Sequence, residues 1–455
     1  MNRVAIRRVR SILILLLDIV GIIVIFPSLY YLRLQQQPDF LAPELWLISG
    51  TIIMTLFLSG TYFRSRSREF PKLPINTFFK VLVAIIPCIV LVYLLGPEKF
   101  KAYLGRGILP IGMVLFGIWA TLNRFFFNRL YHWQEQNTDL LYLGFSSTGE
   151  QFLQELKNNR ELRNVHIVHD GDIESPIPEL TRQYSQDDLG VFDKMSWQEV
   201  IVDPQHHASK VEAEKLVHIR LAGTPVHALS DYYEKHWYKI PVNQIGDDWF
   251  LRSQGFSMIS SPLSHRLKRV IDIVLALILL ALTLPIVLLA AVAIKATSAG
   301  TVFFQQTRVG LQGQNFTIYK LRTMQQDAEK DGVQWAQTND PRITKVGSFL
   351  RSSRIDELPQ CWNVLKGDMS FVGPRPERPE FTQKLVQDIP YYDLRHLVKP
   401  GLSGWAQVMF PYGASTNDAL RKLEYELYYI KNQSFLLDLN IMIRTFMVMF
   451  QRLGR

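Results

Sequence analysis

Apolar residues are unevenly spread along this chain, and their pattern predicts most of its architecture. Residues 12–32 are apolar, with Asp18 the only charge. A helix needs roughly 20 such residues to cross the hydrocarbon core of a bilayer. Three further apolar stretches, 45–62, 78–95 and 107–122, bring the expected number of membrane helices to four. From about Asp139 the pattern changes. Short buried-strand runs at 140–143, 165–168 and 199–202 alternate with turns and helical stretches, which predicts a parallel sheet in an α/β module over 134–255. Residues 271–294 are again apolar apart from Asp272, with Pro285 in the middle. Length alone predicts a fifth span. Basic flanks on both sides (His265, Arg266, Lys268 and Arg269 before, Lys295 after) fit instead a re-entrant hairpin over 268–296, kinked where Pro285 removes a helical hydrogen bond. Both readings stand at this level. Residues 435–450, apolar with Asp438 and Arg444 interspersed, suit either an amphipathic surface helix or a core helix.

Charge refines this picture. The chain has 455 residues, room for two or three domains, and a formal net charge of +9, which suits anionic partners. Arg3, Arg7, Arg8 and Arg10 precede the first apolar run, but no small-residue cleavage pattern follows it, so an uncleaved helix is expected and not a signal peptide. Arg64, Arg66, Arg68 and Lys72 follow the second run, and Arg124 and Arg129 follow the fourth. The positive-inside rule then puts both ends of the bundle in the cytoplasm, against a weaker counter-signal from Lys99, Lys101 and Arg106. Two cysteines, Cys88 and Cys361, make no disulfide framework.

The richest chemistry lies at 351–367. Gly367 is a natural helix stop, and Pro359 is tolerated only in a first helical turn. A helix is therefore expected to begin near Asp356, with Asp356 and Glu357 at its N-terminus, where the dipole would keep Asp356 ionised and favour a phosphate. Such a carboxylate is a workable nucleophile or magnesium ligand. Arg351 and Arg354 sit just upstream. Further upstream are Arg308 and the alternating stretch 316–322, an expected strand carrying Lys320 and Arg322. Downstream, Pro374 and Pro376 bracket Arg375 and fix its backbone, which suits bidentate phosphate recognition. The turn from Gly144 to Gly149 is like a dinucleotide loop, but Ser146 stands where the middle glycine belongs. With Asp170 as its ribose-binding acid it remains a weak signal, and a structural or regulatory role is favoured over an NAD enzyme. His206 and His207 lack the spacing of a metal site. The aromatic stretch 232–249 is interleaved with acids, which argues against nucleic acid.

In order, the motifs Lys-Arg-Val-Ile-Asp (268–272), Phe-Phe-Gln-Gln-Thr-Arg-Val-Gly (303–310), Thr-Asn-Asp-Pro-Arg-Ile-Thr (338–344), Asp-Glu-Leu-Pro-Gln (356–360), Gly-Asp-Met-Ser-Phe-Val-Gly-Pro-Arg-Pro-Glu (367–377) and Val-Lys-Pro-Gly-Leu-Ser-Gly-Trp-Ala-Gln-Val (398–408) resemble the bacterial sugar transferase domain of polyprenyl-phosphate hexose-1-phosphate transferases. The whole chain is similar to the large form of that family, with four helices and a Rossmann-like module before the catalytic part. The resemblance implies a nucleophilic Asp356 assisted by Glu357, with Arg308, Lys320, Arg322, Arg351, Arg354 and Arg375 facing phosphates. Magnesium would sit at Asp356, and Pro285 and Pro376 would serve structure. It further implies a UDP-sugar donor (glucose or galactose), an undecaprenyl phosphate acceptor, UMP release and a part in starting a surface polysaccharide. The site would lie on the cytoplasmic face of the inner membrane, and family analogy suggests a homodimer. The expected fold is thus a mixed membrane protein: helices over 1–133, an α/β module over 134–255, and an α-rich catalytic domain over 256–455 with a re-entrant helix and amphipathic surface helices. Departures from the family pattern are mild. Ser403 stands where Thr is common, and the Met-Phe-Pro-Tyr loop at 409–412 differs from the usual polar one.

Overall fold

Helices α1 (Arg3–Leu34), α2 (Pro43–Leu58), α3 (Ile75–Val83) and α4 (Ile108–Glu135) bury Ile22, Phe26, Ile48, Ile52, Val81, Met113 and Phe116 against one another. Leu16, Val24, Met54, Ile118 and Leu122 are exposed on the same helices. Apolar side chains both inside and outside are what a helix surrounded by lipid requires. The charge inside the first run is fully matched. Arg124 donates two hydrogen bonds to the buried Asp18 carboxylate, at 2.9 and 2.6 Å, and the Tyr62 hydroxyl a third at 2.7 Å. Gly21 lets α4 approach closely, since a Cβ there would lie 2.4 Å from the Trp119 indole, whose N–H bonds the Leu17 carbonyl.

This computed structural model describes residues 3–58, 61, 62, 75–85, 87–90, 107–135, 139–159, 164–169, 175, 177–185, 188, 190–194, 197–256, 261–325, 340–410 and 415–450. Among them, three helices are long and apolar enough to cross a membrane, within Ile12–Leu34, Ile108–Phe127 and Pro262–Thr297. Helix α2 has 16 residues, and the expected span at 78–95 lies partly outside the described residues, as do Arg64, Arg66, Arg68 and Lys72. The chain divides into two units, Met1–Trp237 and Tyr238–Arg455.

The first unit also carries the parallel sheet, in strand order β3-β2-β1-β4-β5: β1 (Asp139–Leu143), β2 (Asn164–Val168), β3 (Thr181–Tyr184), β4 (Glu199–Val202) and β5 (Val226–Ala228). β1 packs Leu140 and Tyr142 into one layer and Leu141 and Leu143 into another. Burial on both faces explains its unbroken apolar run. Helix α5 (Ser147–Asn158) follows β1, and α6 (Lys210–Leu221) follows β4 behind a Ser209–Glu212 capping box. The apolar pattern carries this module on to residue 255, yet Ile240, Val242 and Ile245 pack into the core of the second unit.

The long helix of the second unit, α7 (Pro262–Thr297), runs on through Pro285. Next come an antiparallel hairpin, β6 (Phe303–Val309) and β7 (Asn315–Leu321), then α8 (Lys345–Ser352), a 3-10 turn at Ile355–Glu357, and α9 (Gln360–Lys366). Strand β8 (Ser370–Val372) pairs in parallel with β9 (Gly401–Ser403), so close that a Cβ on Gly373 would fall 2.2 Å from the Lys399 carbonyl oxygen. Helices α10 (Pro379–Asp388), α11 (Thr416–Lys431) and α12 (Phe435–Phe450) complete it. α12 is in part a core helix, burying Ile441, Asp438 and Arg444, and it exposes Phe435, Leu436 and Phe446.

Both ends of α7 are fastened to this unit. Arg269 donates to the Val364 and Leu365 carbonyls at the end of α9, and the Asp272 carboxylate accepts from the Ser370 hydroxyl and the Phe371 N–H. At the far end, the Arg322 guanidinium holds the Ser298 and Ala299 carbonyls at 2.9 and 2.6 Å. Between these anchors Leu277, Leu282, Leu284, Leu288, Leu289 and Val292 are exposed.

Candidate active site

Lys320 lies on β7 opposite Phe304, and its half-buried side chain brings the ammonium beside Glu357. The register of β7 against α9 is set by Asn363. Its side-chain nitrogen donates to the Thr317 carbonyl and its oxygen accepts from the Tyr319 N–H, so it pairs with the strand edge as a backbone unit would. Arg354 adopts a left-handed conformation, φ 58°, which strains a non-glycine residue by roughly 1–2 kcal/mol. It turns the chain so that Asp356 and Glu357 follow in a single 3-10 turn.

Glu357 is the electrostatic centre. Lys320 Nζ and Arg375 donate to its Oε1 at 2.9 and 2.8 Å, and Arg354 to its Oε2 at 3.1 Å. Burial pushes this carboxyl up, but Arg375, Lys320 and Arg354 outweigh it and hold Glu357 well below the usual carboxylate range. Burial lowers the Lys320 ammonium, which Glu357 opposes. Asp356 is the opposite case. It is 7% exposed, and its Oδ1 is shut from solvent with no hydrogen-bond partner. Burial first, then the adjacent Glu357 charge, raise it to about 6.

Raised to about 6, the Asp356 carboxyl is still mostly ionised at neutral pH, but a helix dipole is not what sets its charge. The helix proper starts at Gln360, after Pro359, and desolvation beside a like charge is the stronger effect.

Arg375 is placed by its loop. Four consecutive carbonyls are each held from a different position: Pro374 by the Gly401 N–H, Arg375 by the Arg395 guanidinium, Pro376 by Arg308, and Glu377 by the Val309 N–H, at 2.8 to 3.1 Å. Arg395 is itself buried against Glu426 at 2.8 Å and Tyr392 at 2.6 Å. Neither Arg395, Glu426 nor Asn363 is singled out by the sequence. Arg395 and Glu426 meet across 31 residues, and no local pattern marks the pair.

Of the expected phosphate-facing cations, Lys320, Arg354 and Arg375 converge on Glu357. The Arg351 charge acts on Asp356, and its Nε donates to Thr323 Oγ1. Arg308 and Arg322 are engaged otherwise. Arg308 bonds the Pro376 carbonyl and Gln306, and Arg322 ties down the end of α7. The glycine turn of the first unit, the expected dinucleotide loop, has its hydroxyls engaged from within. The buried Asp203 carboxylate accepts from the Tyr142, Ser146 and Thr148 hydroxyls and the Gln205 N–H, at 2.7 to 3.2 Å. His206 lies against Gly144, where a Cβ would come within 2.6 Å of it. Asp170 lies outside the described residues.

A buried acid with an unbonded oxygen, beside a second acid tied to three cations, is a centre for nucleophilic or cation-assisted chemistry on an anionic substrate. Comparison with known proteins gives that centre its family: residues 263–452 match the bacterial sugar transferase model. The chain is 43% identical over 230 residues to the UDP-N-acetylgalactosamine-undecaprenyl-phosphate N-acetylgalactosaminephosphotransferase of Aeromonas hydrophila, covering 50% of this chain and 53% of that one. It is 43% identical over 189 residues to the UDP-glucose:undecaprenyl-phosphate glucose-1-phosphate transferase of Escherichia coli (strain K12), covering 41% and 40%. To the Caulobacter vibrioides (strain ATCC 19089 / CIP 103742 / CB 15) protein of the same description it is 46% identical over 180 residues, 39% of this chain and 67% of that one. The chain thus spans about half the length of the Aeromonas relative and less of the Escherichia one. It belongs to the bacterial sugar transferase family, of the polyprenyl-phosphate hexose-1-phosphate transferase type.

Proposed function

We propose that this chain moves a sugar-1-phosphate from a UDP-sugar to undecaprenyl phosphate, through a covalent phosphosugar on Asp356. The observation that carries the reading is the buried, unbonded Asp356 carboxylate beside a Glu357 held by Lys320, Arg354 and Arg375. An Asp356 oxygen attacks the β-phosphorus of the donor, the bond to the bridging oxygen breaks, and UMP leaves with the electron pair. A phosphate oxygen of the lipid then attacks the same phosphorus, and the pair returns to the Asp356 carboxylate. Splitting the transfer lets a water-soluble donor and a bilayer-bound acceptor react in turn. Glu357 holds Lys320, Arg354 and Arg375 in place, and with Arg351 they draw the anionic phosphates toward the nucleophile.

The unpartnered Asp356 Oδ1 also fits a magnesium ligand, since such an ion takes one or two carboxylates and completes its shell with substrate phosphates. When bound it would neutralise phosphate charge.

Membrane geometry supports the same reading. A straight helix from Arg269 to Ser298 would run about 43 Å. Its two anchors meet β7 and α9 only a few residues apart: Asn363, next to the Arg269 anchor, bonds Tyr319, three residues from Arg322. That favours a helix that enters one leaflet, bends at Pro285 and returns. With α1 to α4 as a four-helix membrane bundle and the basic loops inside, the site would face the cytoplasm at the inner membrane, where a surface polysaccharide is begun.

The named relatives use glucose or N-acetylgalactosamine donors, so the donors to test are UDP-glucose, UDP-galactose and UDP-N-acetylgalactosamine. The full chain in nanodiscs, with undecaprenyl phosphate and magnesium, should release UMP from one of them, and Asp356→Asn should not. Release of UDP would mean direct glycosyl transfer and would end the covalent reading.

A further inference from the structure

Residues 355–359 and α9 follow one right-handed path, because Leu358 and Pro359 also have helical φ and ψ. Its turns close by bonds between residues three apart (Glu357 to Arg354, Leu358 to Ile355, Cys361 to Leu358, Trp362 to Pro359), so Gln360 lies just over one turn beyond Asp356. Asp356 and Gln360 are both buried, at 7% and 4% exposure. Each has a side-chain atom shut from solvent with no partner: Oδ1 of Asp356 and Nε2 of Gln360. The two do not bond each other. Leaving a buried amide unsatisfied costs stability, and Asn363, three residues on, shows what a structural amide does here by using both its ends on β7. Gln360 uses neither end in that way.

We infer that Gln360 is a catalytic residue of the phosphoryl transfer, its amide N–H donating to a non-bridging oxygen of the phosphoryl group while that group moves to and from Asp356. The inference rests on the reading of Asp356 as nucleophile and names a donor that reading lacks. Lys320, Arg354 and Arg375 each bond Glu357, whereas Gln360, one turn beyond the attacking Asp356, has a buried N–H left unengaged. As a neutral donor it leaves the charge on Asp356 unaltered. Its benefit is greatest when charge builds on the phosphoryl oxygens, so it should act on rate more than on donor binding. No bond to Gln360 forms or breaks in either half-reaction.

The test is single-turnover UMP release by the full chain in nanodiscs, without undecaprenyl phosphate, using the UDP-sugar that the wild type accepts. Gln360→Leu, which keeps the bulk and loses the donor, should slow release by about 10²–10³-fold, with KM for the UDP-sugar within about threefold and the acid limb of the pH profile unmoved. Gln360→Asn, a shorter amide, should recover part of the rate. Should Gln360→Leu not fold, Gln360→Glu keeps the shape, and it should lose the rate and shift the acid limb to higher pH through its charge. Release within threefold of wild type in Gln360→Leu, a loss confined to KM, or a fully active Gln360→Glu would each overturn the inference. If Asp356→Asn is inactive while Gln360→Leu is normal, only Gln360 loses its role. If wild type gives no UMP, or Asp356→Asn gives it at full rate, the nucleophile reading falls and Gln360 with it.

Discussion

Asp356→Asn should abolish UMP release and yet make the protein more stable at neutral pH. In the folded state the Asp356 carboxyl is raised from its ordinary 3.8 to about 6, a difference of about 3 kcal/mol between its two protonation states. The sign follows from proton binding. Between about pH 4 and pH 6 the folded chain holds this proton and the unfolded chain does not, so stability falls as pH rises through that window and the full cost is present above it. Asparagine removes the charge and with it the cost. It also leaves a buried amide without a partner, worth about 1–3 kcal/mol against it. The net expectation at pH 8 is a gain of up to about 2 kcal/mol, or up to roughly 8 °C in melting temperature for a unit of this size. Thermal unfolding of both proteins in the same detergent, at pH 8, 6 and 4.5, measures it. The gain should shrink steadily toward pH 4.5, where the wild-type carboxyl is itself largely protonated. A variant less stable than wild type at pH 8, or a difference that does not change with pH, would refute the argument that burial and Glu357 destabilise the Asp356 charge.

Three other outcomes are expected. UMP release should rise with pH along a limb centred near pH 6, because attack needs the ionised Asp356; a rate flat from pH 5 to 8 would separate that carboxyl from the rate-limiting step. Glu426→Gln should destabilise the second unit by about 3–5 kcal/mol, since it leaves the buried Arg395 charge uncompensated. Pairing it with Arg395→Met should restore much of the melting temperature but not the rate, because the Arg375 carbonyl loses its donor. The first unit should show no calorimetric binding of NAD, with Asp203 already occupying the glycine turn; saturable binding would show that this carboxylate gives way to a phosphate.

Apolar periodicity is a local property, and it alone was enough to mark the three helices long and apolar enough to cross a membrane, the buried strands of the parallel sheet and the alternating strand that carries Lys320. The family was legible too, because the motifs from Lys268 to Val408 bear their chemistry in short runs. What each charged group does was not legible, since a side chain's role depends on what folds against it. Arg308, Arg322 and Arg375 look alike as basic residues, yet two bond main-chain carbonyls and one bonds Glu357. The protonation of Asp356 depends on desolvation and a like charge, and the start of α9 moved past Pro359 because Arg354 turns the chain before it. Arg395, Glu426 and Asn363 act across 31 to 46 residues of chain, a distance at which only tertiary packing brings a donor to its acceptor.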